Sequence, residues 1–359
     1  MLELGIFLPI AKGGFIVSRN VPATWPTWEL NRDVVLKCEE LGFDFALSMV
    51  KFRGFGGETE YWDYALDSFT LTASLAPLTS RIRLVPSVTN LSLHPAVAAR
   101  MAVTIEAVCP DRFGLNIVSG WYRDEFAQMD LWPGDQHFAN RYDYATEYVR
   151  VLRDLWNTGE SDFCGEFFTM RGARIKPVPS SPIPIVCAGQ SDRGIRFTAE
   201  CGDQNFVIAG GNTDDVDADI QTMRGITEKL QSLAAPLGRE VGTIGLFNVI
   251  AAETDTAAQL RFEHIVAGAD EAALANLVDQ AELDESEGMS ESLKKKSMFM
   301  GLPTLVGGWE TVANYLDRLH REANLEACMF AFPDFESDID DFGAYIQPRM
   351  EARAEARRD

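Results

Sequence analysis

Positive charge is scarce in this chain. Its 359 residues carry 32 Lys and Arg against 54 Asp and Glu, a formal net charge of −22. A surface that negative repels phosphate backbones and anionic headgroups, so neither a nucleic acid nor an anionic membrane is an expected partner. No run approaches the roughly 18 apolar residues of a membrane-spanning helix. The opening MLELGIFLPI enters strand-like sequence at once, with no basic segment or cleavage site ahead of it, which predicts a cytoplasmic protein. Histidine is nearly missing. His94, His137, His264 and His320 stand far apart, and there is no H-E-x-x-H or cysteine cluster with zinc spacing. The six cysteines, Cys38, Cys109, Cys164, Cys187, Cys201 and Cys328, include no C-x-x-C pair and read as reduced core residues. A G-x-S-x-G elbow, a P-loop and a G-x-G-x-x-G after the first strand are all lacking.

What is present is a regular alternation of strand and helix patterns. Strands are predicted at Leu4–Pro9, Phe43–Ser48, Ile82–Val85, Phe113–Val118, Ile183–Ala188, Asn205–Ile208, Gly242–Ala251 and Ala327–Ala331. Helical periodicity is found near 28–41, 64–76, 95–108, 139–157, 192–201, 214–236, 256–281, 308–322 and 339–357. In the fourth of these, Ala145, Val149, Leu152 and Trp156 recur at helical spacing with Arg150, Arg153 and Asp154 between them. Eight strands, each followed by a helix, predict a (β/α)₈ TIM barrel spanning 1–359 as a single domain with insertions. The insertions fall near 51–60 (glycine-rich), 121–140, 162–177 (hairpin-like alternation) and 282–303, a polar excursion containing Gly288 and Lys294–Lys296.

In such folds chemistry gathers where strands end. The segment DRFGLNIVSGW, Asp111 to Trp121, places Asn116 near a strand end, followed by Ser119, Gly120 and Trp121. An amide there can donate to a ring carbonyl and accept from a ring N–H, and glycine lets a planar ligand approach the backbone. The same asparagine also serves as a plain buried strand closure. The strand PIVCA is followed by Gly189, Gln190 and Ser191 and then a helix, a turn that suits a phosphate or an ordinary N-cap. Arg141 and Tyr142 open a helix and offer a guanidinium and a phenol to an anion, or face solvent as amphipathic residues. Lys51 and Arg53 follow an apolar strand inside the glycine-rich insertion, where loop charges are ordinarily solvated. His94 before Pro95 reads as the start of a helix, and Trp121 either stacks a ring or fills space.

Taken together, FALSMVKFRGFGG (45–57), the run from His94 to Trp121, QMDLWPGDQHFANRYDYATEYVRVLRDLW (128–156), FFTM (167–170) and CAGQS (187–191) resemble the bacterial luciferase-like flavin monooxygenases, most of all the members that open pyrimidine rings. The resemblance covers most of residues 1–200 and returns at TLVGG (304–308) and IQPRM (346–350). It implies reduced FMN supplied by an NAD(P)H-dependent flavin reductase, dioxygen as co-substrate, and a small-molecule substrate. It leaves open an assembly of identical copies. It also implies flavin contacts from Val50, Lys51, Asn116, Glu125, Arg141, Tyr142 and Ser191. Ser87 falls where the family has a threonine near the oxygen-reacting edge, so Ser87 and Asn116 are the expected catalytic pair, with Phe45, Met49 and Trp121 as an apolar wall around the substrate. Shielding from water is the protein's task in such chemistry.

The chain departs from the pyrimidine-opening pattern at Lys12–Phe15, at His94, after the sixth strand and throughout 282–303. Loops at strand ends select substrates. The expected activity is therefore oxidative cleavage of a cyclic amide such as uracil. Another heterocycle, a halogenated aromatic, a sulfonate or a sulfone is the alternative substrate, and a non-catalytic flavin-binding barrel is the alternative role. The excursion is expected to act as a lid.

Overall fold

The computed structural model describes residues 1–211, 213–284 and 298–354. Its strands are β1 (Glu3–Leu8), β2 (Phe45–Ser48), β3 (Arg83–Thr89), β4 (Leu115–Val118), β5 (Glu160–Ser161), β6 (Ala173–Arg174), β7 (Ile185–Ala188), β8 (Gln204–Val207), β9 (Gly242–Ala252), β10 (Thr304–Gly308) and β11 (Ala327–Ala331). The ring runs β1-β2-β3-β4-β7-β8-β9-β11 and closes from β11 back to β1, with every pair parallel. These eight strands are the eight read from the sequence, and the fold is the expected TIM barrel. β1, β7 and β11 are short apolar runs buried on both faces, as a parallel barrel demands.

Outer helices complete the βα units: α1 (Trp28–Glu40), α2 (Ser68–Leu75), α3 (Pro95–Glu106), α4 (Arg123–Ala127), α5 (Gln136–Thr158), α6 (Asp192–Cys201), α7 (Val216–Ala234), α8 (Asp255–Ala267), α9 (Glu271–Glu282), α10 (Trp309–Ala323) and α11 (Ser337–Asp341). In α5 the four residues picked out by helical spacing, Ala145, Val149, Leu152 and Trp156, are all buried. His94 caps α3, its Nδ1 accepting from Ala96 N–H. The hairpin read at 162–177 is present, closed by the antiparallel β5–β6 pair and a Cys164–Thr169 bridge.

Three elements differ from the sequence reading. The helix expected over 256–281 is two helices, because Gly268 ends α8 and Asp270 caps α9 by accepting from Ala273 N–H. The helix expected near 339–357 breaks after α11 into a π turn and short 3₁₀ turns, since Pro348 brings no N–H to a continuing ladder. A ninth parallel strand, β10, pairs with the upper half of β9, from Thr304 opposite Asn248 to Gly308 opposite Ala252. Two glycines in five residues, straight after a polar excursion, hide it from a periodicity reading. Inside the 121–140 insertion lies the short helix α4.

Strand parity decides what reaches the lumen. Tyr315 of α10 packs edge-on against Phe247 at 6.0 Å, so Phe247 faces outward and its neighbours Leu246 and Asn248 face inward. Register carries that inward face around the ring through Met329, Gly5, Phe45 and Arg83. Gly5 makes room for the Phe45 ring: a Cβ there would sit 2.2 Å from Phe45 Cζ. Gly5→Ala should therefore overpack the lumen and lower stability by about 1–3 kcal/mol. A denaturant midpoint matching the wild type would show that Phe45 can move aside.

Candidate active site

The C-terminal ends of β2, β3 and β4 supply the centre. Ser87 and Asn116 are register partners on adjacent strands, so their side chains emerge side by side into the lumen. Asn116 Nδ2 donates to Ser87 Oγ at 2.7 Å, and both residues are buried. That bond fixes the amide and leaves the serine hydroxyl's own proton as a donor. Asn116 Oδ1 has no hydrogen-bond partner among the described residues, although it is buried. A buried carbonyl oxygen without a donor is costly, and a ring N–H is the group that would satisfy it. Behind the pair, Ser68 Oγ receives Ser87 N–H at 2.9 Å and meets Ser48 Oγ at 2.5 Å, tying β2, β3 and α2 together. A cleft of about 210 Å³ opens beside Ser87, lined largely by apolar residues including Val50, Phe52, Val88, Leu93, Met129 and Leu131.

Lys51 and Glu125 form a buried ion pair at 3.1 Å, each side chain only 6% exposed. Glu125, on α4, also receives Phe52 N–H at 2.7 Å. Four rings surround the ammonium: Tyr122 at 5.1 Å, Trp62 at 5.2 Å, Phe55 at 5.8 Å and Trp121 at 5.9 Å from Nζ to centroid. Phe55 stacks on Tyr122 at 4.9 Å and on Trp121 at 6.4 Å. Burial pushes the Tyr122 phenol up to about 12, so it stays protonated and donates to the Gly54 carbonyl at 2.9 Å. Lys51, a loop residue that the resemblance makes a flavin contact, is thus not solvated but a buried cation in an aromatic box.

The turn after β7 forms a tight cradle. Ser191 caps α6, its Oγ accepting from Gly194 N–H at 3.2 Å. Gly189 and Gly194 pack so closely that a Cβ on Gly194 would lie 2.8 Å from both the Gly189 Cα and the Tyr142 hydroxyl. Gln190 pins the turn to the end of β8 by donating to Ile208 O at 3.0 Å and accepting from Ile208 N–H at 2.9 Å. The phenol above a glycine turn at a helix start suits a phosphate. Arg141 lies beside Tyr142 but is buried in an ion pair with Asp284 at 2.5 Å. The orphaned Asn116 oxygen and this cradle both fit a flavin mononucleotide.

Of the residues expected from sequence, Val50, Ser87 and Met49 converge at the β2 and β3 ends. Asn116 and Trp121 follow at β4, Lys51 joins Glu125, and Tyr142 joins Ser191. Phe45 stands apart. As the first residue of β2, facing Gly5 with the Arg83 guanidinium 5.4 Å over its ring, it fills the lumen well below the strand ends. Sequence reasoning missed Trp62, Tyr122, His137 and Asp284; Tyr122 stands next to Trp121, whereas Trp62, His137 and Asp284 reach the site from other segments and carry no local motif. His137 Nε2–H is shared between the Ser119 and Gly120 carbonyls at 2.8 and 3.1 Å, holding the turn after β4. Gly120 takes φ 73 there, a left-handed conformation that favours glycine. A larger cleft of about 460 Å³ lies beside Tyr122, among Arg53, Asp63, Asp124 and Asp279, and neither Ser87 nor Asn116 lines it. Among the described residues there is no cluster of His, Cys, Asp and Glu suited to a metal, and no helix is long and apolar enough to cross a membrane.

The pattern of the luciferase-like monooxygenases matches residues 2–323. The chain belongs to that family. It is a flavin-dependent monooxygenase of the luciferase-like type, similar to the pyrimidine monooxygenase RutA of Escherichia coli strain 55989, with 46% identity over 99% of this chain and 93% of the relative. The RutA of E. coli O9:H4 strain HS is 46% identical over 99% of this chain and 90% of its own length. Among solved structures, riboflavin lyase RcaE superposes with a TM-score of 0.83 at 17% identity, covering 98% of this chain and 92% of that one. Long-chain alkane monooxygenase LadA follows at 0.79 and 17% identity, covering 98% and 91%. At that identity the two structures speak for the fold.

Two outcomes test this geometry. Glu125→Ala strips the Lys51 ammonium of its counter-charge and should cost about 3 kcal/mol or more in a denaturant titration. Adding Lys51→Leu should restore part of the loss, and additive losses would deny the coupling. Burial holds His137 below its ordinary value of 6.5, against the raising pull of the two carbonyls, with Arg141 lowering it and Asp284 raising it. The unfolded chain then takes up the proton first. The stability linked to neutral His137 is whole above about 6.5 and is lost as pH falls below it. The thermal midpoint should thus fall more steeply from about pH 7 to 5 in the wild type than in His137→Gln. Parallel profiles would show that His137 does not titrate in this window.

Proposed function

We propose that the protein is a two-component monooxygenase that takes reduced FMN from an NAD(P)H-dependent flavin reductase and, with dioxygen, cleaves a cyclic amide of the pyrimidine type. The observation that carries this reading is the buried Ser87–Asn116 pair, with one amide oxygen left unmatched at the barrel mouth. The 46% identity to RutA supports the pyrimidine class. Reduced FMN, when bound, supplies the electrons that activate dioxygen.

The chain's own residues divide the remaining work. Tyr142, Ser191 and the start of α6 hold the phosphate, with Arg141 alongside. Its ion pair with Asp284 means the guanidinium is shared with the phosphate or released to it. Asn116 accepts from a ring N–H of the flavin and fixes its orientation against β4. Ser87, held as an acceptor by Asn116 Nδ2, directs its hydroxyl proton at oxygen on the reacting edge. Val50 and Met49, at the end of β2, would contribute apolar contacts to the flavin. Lys51, locked by Glu125, brings positive charge toward an electron-rich ring without opening the site to water. Trp121 and the rings around it form an apolar wall. Of the expected lid, residues 285–297 lie outside the described residues.

The direct experiment supplies reduced FMN and dioxygen with a panel of substrates: uracil, other lactams and imides, a halogenated phenol, a sulfonate and a sulfone. Products are read by mass spectrometry. Ring-opened product from cyclic amides supports the proposal, while turnover confined to the other classes rejects it. Ser87→Ala should bind FMN as the wild type does, yet yield severalfold less product and correspondingly more hydrogen peroxide, with Ser87→Thr restoring the yield. Full coupling in Ser87→Ala would remove the hydroxyl from the chemistry.

A further inference from the structure

We propose that Asn248 reads the polar edge of the substrate, accepting a hydrogen bond from a ring N–H. The inference rests on the cyclic-amide reading above and assigns that substrate a recognition residue. Asn248 occupies the last position at which β9 is in register with β11, opposite Ala331, so it stands level with the C-terminal end of β11 and four residues short of the end of β9 at Ala252. Parity turns it inward, because Phe247 beside it packs on Tyr315 of the outer layer. Its relative exposure is 0%.

The amide is also oriented. Asn248 Nδ2 donates to Phe299 O at 3.4 Å, and Asn248 N–H donates to Pro303 O at 2.8 Å. With the donor side turned to Phe299, the acceptor side is left over, and Oδ1 has no hydrogen-bond partner among the described residues. Leu246 lies two residues below on the same strand, Ala331 stands beside it on β11, and Thr304 stands beside it on β10 with its hydroxyl turned to Leu302 O. A dry carbonyl oxygen in such surroundings is unfavourable unless something donates to it. Asn31, Asn90 and Gln280 also carry unmatched amide atoms; Asn31 is on α1, Asn90 follows β3 with the parity opposite to that of inward-facing Ser87, and Gln280 is on α9 beside the larger cleft.

Asn116 and Asn248 therefore present two inward carbonyl oxygens from strands on separated parts of the ring. Asn116 is bonded to Ser87 and serves the flavin in the reading above, so Asn248 is left for the second ligand. A lactam or imide carries the N–H that matches it. A sulfone or a halogenated arene without N–H would keep the oxygen unmatched, so the residue also selects against those classes.

The test uses full-length Asn248→Leu, a near-isostere, and Asn248→Ala, with uracil and its N1- and N3-methyl derivatives as probes. Reduced-FMN affinity should stay within about twofold of the wild type, and KM for uracil should rise about tenfold in both variants. Asn248→Leu should also raise the thermal midpoint, because it removes a buried polar atom without a partner. Methylating the recognised nitrogen should cost the wild type about tenfold in kcat/KM and cost Asn248→Leu nothing further, since the hydrogen bond is already gone. An unchanged KM in the variants, with flavin affinity intact, overturns the inference and leaves the functional reading standing. Should neither variant fold, a wild type that accepts both methylated rings as readily as uracil overturns it equally. A wild type that converts no cyclic amide at all overturns the functional reading and the inference together.

Discussion

Closure of the parallel sheet, through the β8–β9 and β11–β1 pairs, governs everything at the site. A closed parallel ring has no free edge, and all its strands end on one face. Every second residue must point into the lumen, so the polar residues near the strand tops cannot avoid one another. Ser87 and Asn116 meet because β3 and β4 are neighbours in register. Asn248 enters the same lumen from β9 by the same rule. The lower lumen, filled by Phe45 in the space that Gly5 leaves, acts as a floor and makes the barrel a cup open at one end.

Around that cup, buried charges are matched within the protein. Lys51 is neutralised by Glu125 and wrapped by four rings, and Arg141 is neutralised by Asp284. Buried pairs of this kind add little net stability but cost a great deal when one member is lost. Their value is positional. Glu125 ties α4 to the chain beyond β2, and Asp284 ties the start of the 282–303 excursion to α5. The other end of the excursion is tied down as well, by Val17 N–H to Met298 O at 2.7 Å and by Asn248 to Phe299 O. Both described ends of this divergent insertion are thus fixed to the barrel framework, one to α5 and the other to the loop after β1 and to β9.

The barrel was legible in the sequence because each strand is a compact apolar run bounded by glycine, proline or polar residues. The helices between them carry clear apolar stripes. β10 was not legible, since Thr304–Gly308 has too few side chains to show a period. The α8–α9 break turned on Asp270, an N-cap whose effect a broad apolar pattern conceals. Within the site, the Ser191 turn and the Asn116 strand end were readable from local chemistry, and the family resemblance added Ser87. Phe45 was expected in the apolar wall around the substrate, but it lies four residues, roughly 13 Å of strand, below Met49. Periodicity gives the face of a strand and not the level at which the lumen closes. Contacts such as Arg141 with Asp284, 143 residues apart, leave no trace in a linear pattern.

The overall charge sets a last constraint on the proposed cofactor. A protein of net charge −22 repels a flavin phosphate at long range. Screening confines that repulsion to about 8–10 Å at physiological salt. Inside that distance the site must supply all of the attraction, and the cations there are already paired. The turn before α6 answers this without a full charge, through the aligned N–H groups of a helix start and the Tyr142 hydroxyl. Dipoles of this kind keep their strength at short range and add little to the far field. Weak attraction over distance with firm geometry at contact suits the proposed two-component reading, in which the cofactor would arrive reduced and leave oxidised.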